Sequence, residues 1–237
     1  MNSTPIILTL CGERLTPDPS GALYWPARET LIVADLHFEK GSSFARRGVL
    51  LPPYDTRATI RTLAALMRRY APKRVISLGD AFHDGDAEAR MASDDAEALA
   101  GLIGATQWIW VLGNHDPAPP ARFASAACKA FACAPFVFRH EPRAGAAHGE
   151  IAGHLHPAAR IAAEGRMLRR RCFASDGRRL VMPAMGAFAG GLNILDDAFA
   201  PLFARPSAWV LGDSGVYPIA PERLVPDSPL REVRKRA

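Results

Sequence analysis

Five of the seven histidines in this chain fall within one ordered series of polar blocks. The series runs Asp35-Leu36-His37, Gly79-Asp80, Gly113-Asn114-His115-Asp116, His140, and Gly153-His154-Leu155-His156. Carboxylate, imidazole and amide groups delivered together are the ligand types of a centre that binds divalent transition metals. In Asp35-x-His37 the spacing predicts two side chains on one face of an extended segment, so both can reach one ion. His154-x-His156 repeats that spacing, with one imidazole for each of two metals. Asp80 has two carboxylate oxygens and can bridge both ions, Asn114 offers a neutral oxygen, and His140 completes the second set.

Mixed oxygen and nitrogen ligands suit Mn²⁺, Fe or Zn²⁺ and argue against a cysteine-built structural zinc. Two such ions about 4 Å apart would polarise a phosphoryl group and give a hydroxide nucleophile near neutral pH. His115 follows ligand Asn114 directly and is read as outside the coordination. Its expected role is to protonate the leaving oxygen or stabilise the phosphoryl charge, with Asp116 holding its tautomer.

Several of these blocks directly follow a short apolar run. Leu31–Ala34 reads as a strand buried on both faces. Asp55–Tyr70 has apolar residues at helical spacing and is stopped by Pro72. Arg74–Leu78 predicts the next strand, Asp86–Ile103 a second helix, and Trp108–Leu112 a third strand. That alternation implies crossover connections and a largely parallel sheet. Before it, Ile6–Leu10 and Ala22–Trp25 predict two strands around a turn at Thr16–Gly21. After Pro117 the pattern is mostly β: Phe136–Phe138, Glu150–Ala152, a hairpin of Arg171–Ala174 with Arg179–Met182, then Leu192–Leu195, and a last hairpin of Ala208–Leu211 with Val216–Ile219. Two packed sheets with outer helices, in one domain over residues 1–237 with a short basic tail at 231–237, fit this order.

A chain of 237 residues can bury a full core. Its N-terminal residues lack the basic and apolar regions of a signal peptide, and no apolar run would span a bilayer, so the expected address is the cytoplasm, away from membranes. The four cysteines show no metal-finger spacing and are expected to be thiols. Lys and Arg total 29 against 24 acidic residues. The excess gathers in Arg166–Arg179 and in the tail from Arg231, where a phosphate backbone could bind.

The blocks above resemble the signature of the calcineurin-like metallophosphoesterases. That resemblance implies a four-layer α/β/β/α sandwich of two mixed sheets flanked by helices. It also implies one metal held by Asp35, His37, Asp80 and His156 and a second by Asp80, Asn114, His140 and His154, with His115 near the leaving group. Longer strings, among them Ala34–Gly41, Leu78–Asp84, Arg139–Pro142, Gly153–Pro157 and Pro183–Phe188, are similar to a bacterial subgroup. Its members are associated with an ATP-dependent DNA ligase and a helicase in DNA repair. This second resemblance implies a phosphodiester substrate, DNA, and Mn²⁺ as the metal.

His83 is read as touching substrate phosphate, orienting a ligand, or simply lying at the rim, and Asp84 beside it is a further candidate. Lys40 is a candidate for the substrate backbone, or else part of a solvated helix face. Trp108 and Trp110 are expected in the core. The leading expectation is a metal-dependent phosphodiesterase or endonuclease. A phosphomonoesterase for a protein or small metabolite is the alternative, because metals treat any phosphoryl group alike. A non-catalytic scaffold of the same fold would be expected to have lost ligands, and every position here is filled.

Overall fold

The computed structural model describes residues 6–227 apart from 53 and 164, so the basic tail from Arg231 lies outside the described residues. The first sheet holds β1 (Leu8–Leu10), β2 (Glu13–Pro17), β3 (Leu23–Trp25), β4 (Thr30–Val33), β5 (Arg74–Leu78), β6 (Gln107–Val111) and β7 (Ala126–Cys128), side by side in chain order. β1 to β4 form an antiparallel meander, and β4 to β7 are parallel. Strand β4 shows why a continuous apolar run is needed there. Leu31 and Val33 face the helices, while Ile32 and Ala34 face the second sheet.

Two longer helices cover the outer face of this sheet. Helix α2 (Asp55–Tyr70) buries Ile60, Leu63 and Leu66, and ends where Ala71 turns left-handed before Pro72. Helix α4 (Ser93–Gly104) buries Leu99 and Ile103. The short helices α1 (Lys40–Ala45) and α3 (Ala87–Arg90) sit above the carboxyl ends of the strands.

The second sheet contains β8 (Ala130–Cys133), β9 (Phe136–Arg139), β10 (Glu150–Ala152), β11 (Pro157–Ala163), β12 (Arg166–Ser175), β13 (Arg179–Val181), β14 (Leu192–Asn193), β15 (Ser207–Leu211) and β16 (Val216–Ile219). Its strands β9, β10 and β13 run parallel to one another. Phe136, Phe138, Ile151, Phe173 and Leu180 pack against Leu10, Trp25, Ile76 and Ile109 of the first sheet. Burying side chains of this size contributes about 2–3 kcal/mol each.

The two mixed sheets expected from the sequence are present, with α-helices among the described residues only on the side of the first. The outer face of the second sheet carries a 3₁₀ turn, Asp197–Phe199, with Phe203 and Leu224 closing over Cys172, Ala174 and Val210. No helix among the described residues is long and apolar enough to cross a membrane.

Local expectations needed three corrections. Residues Asp86–Ile103 do not form one helix, because Ala92 is extended (ψ 144°) between α3 and α4. Arg90 forces the break by reaching back to the Asp84 carboxylate and the Ser42 hydroxyl. Thr16 and Pro17 are not part of a turn. They belong to β2, which a tight turn at Cys11 and Gly12 (φ 49° and 83°) folds onto β1. The hairpin read at Arg171–Ala174 is one end of a ten-residue strand, β12. Its first half pairs with β11 and its second half with β13 and β15.

Candidate metal centre

Each predicted ligand block sits just past the carboxyl end of a strand. Asp35 and His37 follow β4, Asp80 follows β5, Asn114 follows β6, His140 follows β9, and His154 and His156 follow β10. The first three strands are parallel in one sheet and the last two parallel in the other, so each sheet presents its loops on one rim. The rims are tied together by the His154 backbone N–H, which donates to both Asp35 carboxylate oxygens at 3.2 and 3.0 Å.

The route by which side chains converge differs from the expected extended geometry. Asp35, His37, Asp80, His154 and His156 all have left-handed backbones, with φ between 45° and 71°. Such residues are uncommon outside glycine and cost about 1–3 kcal/mol each, so surrounding structure must hold them. Part of that support is backbone pairing continued past the strand ends: His37 N–H donates to the Asp80 carbonyl at 2.9 Å, and Phe38 N–H to the Ala81 carbonyl at 2.8 Å. The motif glycines have a steric reason as well. Gly79 has φ 74°, and a Cβ there would lie 2.5 Å from the His140 ring. A Cβ on Gly153 would lie 2.6 Å from Asp35 Oδ2.

Two donor groups result. In the first, one ligand atom each from Asp35, His37 and His156 all lie within 4.8 Å of one another, and in the second the same holds for Asp80, His140 and His154. His37 Nε2 is 3.3 Å from His156 Nε2, which is 3.4 Å from Asp35 Oδ1. Asn114 Oδ1 joins the second group, 2.9 Å from His140 Nε2 and 3.1 Å from His154 Nδ1. Asp35 is fully buried, and Asp80, His37 and His140 are nearly so.

The chemistry of these atoms fits a cation. Leu78 carbonyl can only accept, so His140 must spend its Nδ1–H on it, at 2.9 Å. A neutral His140 then turns a bare Nε2 lone pair towards the Asn114 oxygen and towards Asp80 Oδ2 at 3.4 Å, an arrangement of acceptors that repel. A metal ion, a proton on His140 or the Nδ1–H of His154, 3.1 Å from both His140 Nε2 and Asn114 Oδ1, must sit among them. Burial opposes the proton, but the Asp80 hydrogen bond and the charges of Asp35 and Asp80 outweigh it and raise His140 to about 9. Asp80 shows the reciprocal effect. Burial pushes its carboxyl up, and His140 and His115 together hold it down at about 2. His37 is driven to about 3, first by burial and then by the charge of His156, so it stays neutral and free to ligate.

His115 stands beside the donors rather than among them. Its Nδ1–H donates to the His83 carbonyl at 2.8 Å, which leaves Nε2 directed towards Asp80 Oδ2 at 4.0 Å, on a side chain 40% exposed. The expected tautomer-holding role of Asp116 is therefore corrected, because the His83 carbonyl performs it. Asp116 instead accepts the backbone N–H groups of Asp80, Ala81, Phe82 and Gly113, at 2.7 to 3.3 Å. It clamps the loops after β5 and β6 and so positions Asp80. Burial raises its carboxyl to about 6 despite those donors.

The remaining candidates separate. The His83 ring stacks on His115 at 5.2 Å and its Nδ1 is 3.5 Å from His37 Nδ1, so it lines the centre from behind. Asp84 turns away. Both its oxygens accept from the Arg90 guanidinium at 2.8 Å, and Arg90 also donates to the Ser42 hydroxyl of α1, so this pair clamps α3 to the loop after β5 and to α1. Lys40 is partly buried at the start of α1, where burial lowers its ammonium and its charge in turn lowers His37 and His83. Trp108 and Trp110 are core residues.

Residue-type reasoning gave no role to the loop from Ala184 to Gly191. Met185 N–H donates to the Ala34 carbonyl at 2.9 Å, Gly186 N–H to the Asp35 carbonyl at 3.1 Å, and Leu192 N–H to the His156 carbonyl at 3.2 Å. This loop fixes two ligand backbones from outside. A backbone contact carries no side-chain signature, although the string Pro183–Phe188 marked its position.

A family model described as calcineurin-like phosphoesterase matches residues 29–179. No curated protein matches the sequence significantly. Among solved structures, the crystal structure of Pseudomonas putida nuclease MPE is similar at 29% identity and a TM-score of 0.72, covering 91% of this chain and all of that one. The E. coli phosphoesterase Yfce aligns at 13% identity and a TM-score of 0.41, covering 81% of this chain and 98% of the other. With the matched segment spanning β4 to the start of β13, and all the donors inside it, the chain belongs to the calcineurin-like phosphoesterase family.

Proposed function

We propose that this protein is a Mn²⁺-dependent phosphodiesterase that cuts DNA, an endonuclease serving DNA repair. The observation that carries the reading is the convergence of seven donors on two adjacent positions, with His115 Nε2 exposed beside them. Two divalent cations bound there would supply Lewis-acid polarisation of a phosphoryl group and an activated water.

The chain's own residues do the rest. Asp80 belongs to the second donor group, and its backbone carbonyl accepts from the His37 N–H of the first, so one residue ties the two groups together. Asp116, by holding four backbone N–H groups around Asp80, keeps that carboxylate from rotating. His115, pinned through Nδ1–H by the His83 carbonyl, presents Nε2 to the departing oxygen and in its imidazolium form gives that oxygen the Nε2 proton, returning to the neutral Nδ1–H tautomer. The buried carboxylates strengthen every charge interaction in the centre, while the exposed edge of His115 marks the side from which substrate enters.

Support for a nucleic-acid diester over a small monoester comes from the similarity to a nuclease across nearly the whole chain and from the arginine-rich Arg166–Arg179 segment. The resemblance to the ligase-associated subgroup adds an ATP-dependent DNA ligase and a helicase as proposed partners. The test compares bis-p-nitrophenyl phosphate with p-nitrophenyl phosphate in Mn²⁺, using wild type and Asp80→Asn. A diester preference that collapses in the variant is the expected result. Preference for the monoester leaves a phosphatase and overturns the reading.

A further inference from the structure

The loop from Ala184 to Gly191 that braces the metal ligands on one side is held by arginines on the other. Arg171 donates to the Ala184 carbonyl at 2.7 Å, and Arg169 to the Gly191 carbonyl at 2.6 Å. Together with Arg170 they line a cleft of about 560 Å³ that also takes in Ala189, Pro19 and Asp213. The wall between this cleft and the metal centre is therefore a single loop.

Strand β12 pairs only with β11 across residues Arg166–Arg171, and Arg166–Arg170 are all exposed. Successive residues on one face of a strand lie about 7 Å apart. Arg169 and Arg171 form such a pair, at a repeat comparable with the spacing of phosphates along an extended nucleic-acid strand, and Arg170 between them also lines the cleft. Arg169 is partly neutralised by Asp227, at 3.3 Å. Arg170 has no hydrogen-bond or ion-pair partner among the described residues, and Arg171 has only the Ala184 carbonyl. Asp213 is the acidic residue in the cleft. Two guanidinium groups without a carboxylate partner, Arg170 and Arg171, beside a third only partly neutralised, suit an anionic backbone.

We infer that this cleft is a backbone-binding track that holds phosphates of a polynucleotide flanking the bond placed at the metal centre. The inference rests on the nucleic-acid reading above and extends it to a surface away from the metals. Arg170 contributes binding and no chemistry, while Arg169 and Arg171 both bind phosphate and hold the loop. Removing Arg170 therefore weakens long substrates without touching the centre.

The experiment uses the full chain with Mn²⁺ and compares wild type, Arg170→Ala, Arg170→Glu and Lys129→Ala. Lys129 places the same charge on the exposed connection between β7 and β8, at the other edge of the sheets. The substrates are a fluorescein-labelled oligothymidylate and bis-p-nitrophenyl phosphate. The expected result is a KM for the oligonucleotide raised about fivefold to tenfold in Arg170→Ala and further in Arg170→Glu, with kcat kept. The slope of log affinity against log salt should fall by about one. Lys129→Ala should match wild type, and all four proteins should hydrolyse the small diester equally. An unchanged oligonucleotide KM in both Arg170 variants, with wild type cutting the oligonucleotide, overturns the track and leaves the nuclease reading intact. Wild type that hydrolyses the small diester but neither binds nor cuts the oligonucleotide overturns both.

Discussion

The loops after β4, β5 and β10 and the ribbon of β11 and β12 both gather charged residues at the edge of the apolar core, yet they are built on opposite terms. In the loops, six non-glycine residues adopt left-handed backbones, the carboxylates of Asp35 and Asp80 are buried, and backbone donors converge on them. In the ribbon, β11 and β12 pair in unbroken register over six positions, and residues 166–170 are exposed. Strain and burial hold a few atoms within bonding distance of one another, which a metal centre requires. Regular, exposed backbone leaves side chains such as Arg170 uncommitted. Substitutions should therefore be costly in the loops and cheap in the ribbon.

The largest expected effect tests the loops directly. His115→Ala should lower kcat on the small diester about 10²–10⁴-fold while two Mn²⁺ remain bound per chain, measured by elemental analysis beside steady-state kinetics. Unchanged kcat would remove His115 from the mechanism. Next comes Gly113→Ala, whose added Cβ would meet Asp80 Oδ1 at 2.2 Å and the Asp80 backbone nitrogen at 2.3 Å. Because backbone must move, a loss of about 3 kcal/mol in urea unfolding is expected, with weakened metal binding. A neutral outcome would show that the loops are softer than their packing implies.

Asp84→Asn probes the clamp between them. Arg90 hydrogen bonds hold the Asp84 carboxyl below the usual carboxylate range, against burial. Its stabilisation is thus present above the unfolded pKa of about 3.9 and lost as pH falls through the lower folded value. The pair is partly exposed, so the variant should be about 1 kcal/mol less stable at pH 7, with the gap closing in acid. A gap independent of pH would contradict the pairing. Smallest of all, Met167→Ser in the ribbon, 46% exposed, should change stability by less than about 0.5 kcal/mol. A larger loss would mean that the ribbon packs against something and would erase the contrast on that side.

The sequence was most legible where one local rule was sufficient. Helix α2 and strand β5 match their predicted bounds, because helical spacing, an apolar run and Pro72 act within a few residues of each other. Strand β10 does so as well. Elements that depend on distant pairing were harder to see. Strand β2 exists because Leu15 meets Leu8 and Thr16 meets Tyr24, and the first half of β12 exists because β11 is there to receive it. The break between α3 and α4 is made by Arg90 reaching Asp84 and the Ser42 hydroxyl, contacts that helical periodicity cannot report.

The same division runs through the site. Residue type and order alone determined which side chains are donors, because chemistry restricts metal ligation to a few groups and strand ends present them in sequence. Only the tertiary structure decided how they meet. It assigned the His115 tautomer to the His83 carbonyl and gave Asp116 to the backbone around Asp80. It also set an arginine-held loop behind Asp35 and His156. Those assignments rest on backbone carbonyls and N–H groups, which every residue carries alike and which only the folded chain brings within reach.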